Sequence, residues 1–310
     1  MTIANVSTAY FFEQTRLGLM RTQSALDEAQ RQVSSGQKVN SLADAGVGAA
    51  PIVGAREMLS RVDTRTQALQ EFAPRLEAQD FSLGRTSDVA RSLKEQVLSM
   101  VTLNDGGALV DRLQEAFTAA TTEMNTQWNG VYVFGGERVT SPPVVIANLT
   151  ALAALPNGQA AFNVAQRTQT IDLGDGFQAA VADRGVDVAG GLFDALRDLK
   201  VLLDANGGAL GKPLTAPQKT SLEAAITKLT QAATDLTQGQ ARNGALQNRV
   251  DREIEAGQSR SILLQKTIGD AVDADLAQVS ITLNQLKTQY QVSASTFATL
   301  KDLNLMNFLR

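Results

Sequence analysis

At 310 residues and 44 % hydrophobic, the chain is long enough to bury a core in roughly two domains, and with only 5 % aromatic residues its packing falls to Leu, Val and Ala. A formal charge of −4 and the lack of any Lys/Arg cluster exclude nucleic acid as a partner, because phosphate binding needs a concentrated basic surface. With no cysteine and no histidine, disulfides, thiolate metal sites, Ser-His-Asp and Cys-His catalysis and the His-Glu-x-x-His zinc motif are all removed.

Ile3, Val6, Tyr10, Leu17 and Met20 follow the alternating three- and four-residue steps of a helical seam, broken by Glu13, and Leu19, Leu26 and Val33 add a second stripe. The spacing predicts a helix from about residue 7 to 35, stopped at Gly36 by a left-handed cap. Residues 1–12 carry no charge, and a lone helix of that kind is marginal in water. After a loop at 36–50, Ile52, Leu59, Val62, Leu69, Phe72 and Leu76, then Leu83, Ala90, Leu93, Val97 and Met100, share one helical face; Pro74 predicts a kink or restart near Ala73. Asn104-Asp105-Gly106-Gly107 is a turn by residue type, and Leu109, Leu113, Phe117, Ala120 and Met124 make a further helix ending near Trp128.

From Val131 the pattern changes to short Val, Ile, Thr and Phe runs between Gly and Pro. Val131-Tyr132-Val133-Phe134 reads as a strand closed by Gly135-Gly136, and residues 168–173 pair with 177–181 across Gly174-Asp175-Gly176. Leu192, Leu196, Leu199 and Leu203 begin a short helix stopped by Gly207-Gly208. Residues 218–310 contain no proline and suit one very long helix or two stacked ones. Their seam at Leu222, Ile226, Leu229, Ala233 and Leu236 turns polar at Gln240, Asn243 and Gln247 and resumes at Val250 and Ile254, which predicts a kink or an exposed middle near residues 239–244.

The last stretch carries the clearest signal. Val272, Leu276, Val279, Leu283, Leu286, Tyr290, Phe297, Leu300 and Leu303 form one narrow stripe that calls for a partner helix. From Leu276 onward the charged side chains are Lys287, Lys301, Asp302 and Arg310 alone, so this helix is expected to meet more than one neighbour. Its first mate is expected to be the N-terminal helix. The fold class that follows is mainly α: a long helical bundle whose N- and C-terminal helices pair as an antiparallel coiled coil, plus a small β-rich insert. Residues 1–40 with 271–310 form the terminal assembly domain, 41–130 with 191–270 the central bundle, and 131–190 the insert. The expected assembly interface comprises Val6, Tyr10, Leu17, Met20, Leu276, Val279, Leu283, Leu286, Tyr290, Phe297, Leu300, Leu303, Phe308 and Leu309.

Partial motifs for chemistry fail on inspection. Gly46-Val47-Gly48-Ala49-Ala50-Pro51 lacks the third glycine and the preceding strand of a dinucleotide fingerprint, and Asn206 and Pro213 stand where a phosphate loop needs Gly and Ser/Thr. Residues 172–176 lack the third acid and distal Glu of a calcium loop. Asp273 and Asp275, two apart, point in different directions on a helix. We expect no enzyme, no cofactor and no metal. The longest apolar tract, 144–155, is interrupted by Asn148 and Thr150 and reaches about half of the roughly 20 residues a spanning helix needs. The first basic residue is Arg16, so no Sec-type signal is read, and a soluble chain without a membrane partner is expected.

Val33-Ser34-Ser35-Gly36-Gln37-Lys38-Val39-Asn40-Ser41 after the first helix resembles the leucine-Ser-Ser-Gly-basic-hydrophobic-Asn signature of the bacterial flagellin family. Asp273-Ala274-Asp275-Leu276-Ala277, Tyr290 with Ala294-Ser295, and residues 300–309 resemble that family's closing helix, so the likeness runs end to end. Asn129-Gly130-Val131-Tyr132-Val133-Phe134-Gly135-Gly136 and the ending Asn307-Phe308-Leu309 are similar to motifs of its hook-associated members. The family's consecutive acids and proline are replaced by Leu42-Ala43-Asp44-Ala45-Gly46, and Arg310 is an ending seen in filament subunits, so a filament subunit stays as the alternative, ahead of a secreted coiled-coil effector or adhesin. The resemblance implies a structural protein exported through the flagellar type III apparatus to the extracellular hook–filament junction. It also implies partners: further copies in a ring-like homo-oligomer, a hook-side junction protein, the flagellin filament, and a cytoplasmic export chaperone on the C-terminal helix.

Overall fold

The computed structural model describes residues 3–39, 41, 46–174, 177–180 and 183–308. Helix α1 (Ile3–Ser35) ends where Gly36 takes φ +72° and donates its N–H to the Gln32 carbonyl at 2.9 Å, the left-handed cap that only glycine adopts freely. A 3-10 turn, Gly46–Gly48, leads into α2 (Ala49–Leu103), which continues through Pro74 without the expected restart. Proline inside a helix costs about 3 kcal/mol. Leu69, Leu76 and Leu83, each buried to within 1 % on either side of it, supply packing that offsets this.

The turn after α2 is held by side chains. Asn104 (φ +56°) accepts the Leu214 N–H at 3.1 Å, and Asp105 accepts the Gly107 N–H at 3.1 Å and the Lys212 ammonium at 3.2 Å. Those bonds, the Gly107 one foremost, hold the Asp105 carboxyl below the usual aspartate range. Helix α3 (Leu109–Met124) stops earlier than residue 128, because Gln127–Trp128 is a strand, β1. It pairs with β2 (Val131–Tyr132) across Asn129 and Gly130, whose φ values of +46° and +78° match the twist of a two-residue hairpin turn. The strand expected at 131–134 is thus shorter, and Val133 and Phe134 turn fully into the core.

Helix α4 (Leu149–Ala153) is capped by Asn148, whose side chain accepts the Ala151 N–H at 2.8 Å. The expected hairpin is present as β3 (Thr170–Gly174) and β4 (Phe177–Ala180), with Thr170 opposite Ala180 and Ile171 opposite Ala179. Its turn residues 175–176 lie outside the described residues. Helix α5 (Gly185–Ala205) precedes α6 (Ala216–Val272) and α7 (Leu276–Phe308).

Two compact units emerge, Thr64–Gln258 and the two ends, Met1–Asp63 with Ser259–Arg310. In the first, α3 and α4 pack on α5. Leu83, Leu93, Leu109, Leu113, Met124, Leu192, Phe193 and Leu229 form one buried cluster with Val133, Phe134, Val144 and Ala161 of the β-rich stretch. Phe193 sits edge-on to Phe162 and Phe117, with ring centroids 4.9 and 6.4 Å away. Near residues 239–244, where a kink or an exposed middle is expected, α6 is unbroken and Gly239 and Asn243 are buried. Gly239 lets Val188 approach to 3.0 Å of where a Cβ would stand, and the buried Asn243 donates to the Leu76 carbonyl at 2.8 Å, so the polar stripe is tied to α2 inside a continuous run of α6.

Candidate assembly interface

In the unit formed by the two ends, the break between α6 and α7 sits at Asp273-Ala274-Asp275. Asp275 is the N-cap of α7: its Oδ1 accepts the N–H groups of Ala277 at 3.0 Å and Gln278 at 3.1 Å. The unwound residues pair with the chain leaving α1. Gln37 and Asp273 form an antiparallel bridge, Lys38 N–H donates to the Val272 carbonyl at 2.8 Å, and Ala274 N–H donates to the Gly36 carbonyl at 2.9 Å. The Lys38 ammonium donates to the Asp270 carbonyl at 2.6 Å, a cation at the negative end of α6. Two sequence segments from opposite ends of the chain, 36–39 and 272–274, therefore meet in one backbone clasp.

From the clasp the two terminal helices run alongside each other in opposite directions. Gly36 lies against Ala274, and farther along the Phe12 ring lies 4.6 Å from Phe297. On α7, Val279, Leu283, Leu286, Tyr290 and Phe297 are all half-buried on this seam, in the register of the sequence stripe. On α1 the register differs. Phe12, Leu19 and Leu26 are half-buried, and Thr22 and Ala29 are buried, whereas Tyr10 is 67 % and Met20 55 % exposed. Tyr10 stands two residues from Phe12 and Met20 two from Thr22, about 200° around the helix, so they occupy the opposite face. Leu17 is half-buried and Leu276 is 49 % exposed. The side chains of Val6, Leu300, Leu303 and Phe308, and all of Leu309, lie outside the described residues. Glu13, which interrupts the sequence stripe, pairs with Arg16 at 2.6 Å in solvent, and that bond holds its carboxyl below the usual range.

The burial of this unit is one-sided. Among the described residues α7 has no fully buried side chain, and Tyr10, Phe11, Met20, Ile262, Leu263, Ile281 and Val292 leave apolar surface in solvent. A groove of about 510 Å³ lies in the other unit, between α2 and α3. Its charged groups neutralise one another, Arg85 with Glu123 at 2.9 Å and Arg112 with Glu115 at 3.1 Å. Among the described residues there is no group of three or more His, Cys, Asp or Glu able to hold a metal, and no helix long and apolar enough to cross a membrane.

The bacterial flagellin N-terminal helical region matches residues 6–138, and the bacterial flagellin C-terminal helical region matches residues 226–309. No curated protein matches the sequence. Among solved structures, one described as a flagellar hook-associated protein from Vibrio parahaemolyticus is similar over 74 % of this chain and 100 % of its own, with a TM-score of 0.59 at 16 % identity. Bacillus cereus FlgL is similar over 65 % of this chain and 98 % of its own, with a TM-score of 0.50 at 10 % identity. At such identities the two structures speak for the fold alone. The two sequence matches take in both signature segments of the clasp and most of the terminal pair, and the chain belongs to the bacterial flagellin family of structural proteins.

Proposed function

We propose that the chain joins hook to filament in the bacterial flagellum, assembling as a ring of copies through its terminal helices after export by the flagellar type III route. The observation that carries the reading is the one-sided terminal pair: a seam closed on α7 and open on the Tyr10–Met20 face of α1, in a unit with few buried side chains. Such a pair completes its core only against neighbours, which ties its stability to assembly. Before assembly the exposed apolar face needs cover, which suits a chaperone on the C-terminal helix. The junction position, as opposed to a place in the filament, is supported by residues 129–136 and 307–309 and by the likeness to a protein described as hook-associated.

A filament subunit contacts copies of itself along an open lattice, whereas a junction protein meets one kind of neighbour below and another above. Deleting the gene therefore separates the two. Electron microscopy of the deletion strain should show bare hooks, and an immunoblot should find filament protein free in the medium. Normal-length filaments on that strain would overturn the junction reading in favour of a minor filament subunit.

A further inference from the structure

Four Asn-Gly steps occur in the chain, at Asn129, Asn157, Asn206 and Asn243. Such steps can cyclise: the glycine amide nitrogen attacks the asparagine Cγ, a C–N bond closes a five-membered succinimide, and the carboxamide nitrogen leaves as ammonia carrying the glycine amide proton. Water then opens either imide bond, leaving aspartate or isoaspartate. The reaction requires a side chain free to turn and a glycine N–H not already engaged.

Three of the steps are tied. The Asn157 side chain accepts the Ala160 N–H at 2.9 Å, and the Gly158 N–H donates to Asp194 at 2.6 Å in a buried position. Asn206 donates to the Leu202 carbonyl at 2.7 Å and accepts from Gln218 at 2.8 Å, while the Gly207 N–H donates to the Asp204 carbonyl at 3.3 Å. Asn243 is buried in α6, donating to Leu76, and Gly244 lies within the same helix. Asn129 and Gly130 form the exposed turn between β1 and β2; neither the Asn129 carboxamide nor the Gly130 N–H takes part in a hydrogen bond among the described residues. A Cβ at Gly130 would meet nothing within 4 Å, so water has open access.

We propose that Asn129 is the chain's site of spontaneous deamidation and that the folded structure protects the other three Asn-Gly steps. The isoaspartate product would insert a backbone carbon into a two-residue turn whose register rests on only two residue pairs, Trp128 with Val131 and Gln127 with Tyr132. The aspartate product would keep the register and add one negative charge.

The test is peptide mapping by mass spectrometry of the purified full chain held in mildly alkaline buffer, native in one arm and unfolded in urea in the other. In the native arm the Asn129 peptide should gain one mass unit about tenfold or more faster than the other three, which react only when their local hydrogen bonds open. In the urea arm the four rates should converge. Isoaspartyl methyltransferase labelling should appear on the Asn129 peptide, and Gly130→Ala should slow its conversion in both arms, so the variant remains informative even if it fails to fold. Native rates at Asn157, Asn206 or Asn243 equal to that at Asn129, or an Asn129 that converts only in urea, would overturn the proposal.

Discussion

Replacing Leu283 and Leu286 together by Asp probes whether the terminal pair is energetically separate from the rest of the chain. Both leucines are half-buried on the α7 seam, midway between the clasp at Asp275 and the Phe12–Phe297 ring contact. Full burial of a leucine is worth about 1.5–3 kcal/mol, so two half-buried ones contribute about 1.5–3 kcal/mol between them, and taking carboxylates out of water there adds a further penalty. A two-helix coil with a one-sided core has little reserve to absorb such a loss. Helices α1 and α7, 33 residues each of the 310, should melt, lowering helical circular dichroism by up to about a fifth of the chain's residues. The core of residues 64–258 contains neither leucine, so the Tm of its transition should not move. The variant should also fail to join flagella. Full helicity with normal incorporation would refute the seam, and a fall in the Tm of residues 64–258 would refute the separation.

Phe193→Ala removes the ring between Phe162 and Phe117 in the main cluster and should cost about 3–5 kcal/mol, read from the urea midpoint, while leaving hydrogen exchange in α1 and α7 unchanged. An effect under 1 kcal/mol would mean that the site repacks. Asp275→Ala strips the N-cap from α7 and should cost about 1 kcal/mol, seen as faster exchange at Ala277 and Gln278; unchanged exchange would mean that the clasp alone orders this end. The Asp105 carboxyl is held low by Gly107 and then Lys212, so its stabilisation is present above the carboxyl's unfolded pKa and fades as pH falls through its lower folded pKa. A carboxyl titration by NMR should place its midpoint below that of free aspartate, and a midpoint at or above that value would contradict the hydrogen-bonded turn.

Much of the fold was legible because long apolar periodicities dominate it. On α7, Val279, Leu283, Leu286, Tyr290 and Phe297 of the sequence stripe are half-buried, while Leu276 of the same stripe is exposed. On α1 the spacing was ambiguous, since Tyr10, Leu17 and Met20 make one stripe and Phe12, Leu19 and Leu26 another. Which of them turns inward is decided by α7, through Phe297 on Phe12. Pro74 and Gly239 read as breaks because local propensity says so, yet with buried leucines around one and Val188 close against the other α2 and α6 run on unbroken. The real break at 273–275 contains neither Gly nor Pro; its available signal was an aspartate, Asp275, directly before an apolar run. The clasp is made by backbone groups of residues far apart in the chain, which side-chain patterns cannot encode. Strand β1, at two residues, is too short to show alternation.

The proposed role is a place: between hook and filament, held there by the terminal helices. Gold-labelled antibody against residues 64–258, applied to isolated flagella, tests it most directly, because that unit contributes neither α1 nor α7 to assembly. Gold should be confined to the single point where hook meets filament and be absent from flagella of cells carrying Leu283→Asp with Leu286→Asp. Gold spread along the filament, or the same junction label in the double variant, would contradict it.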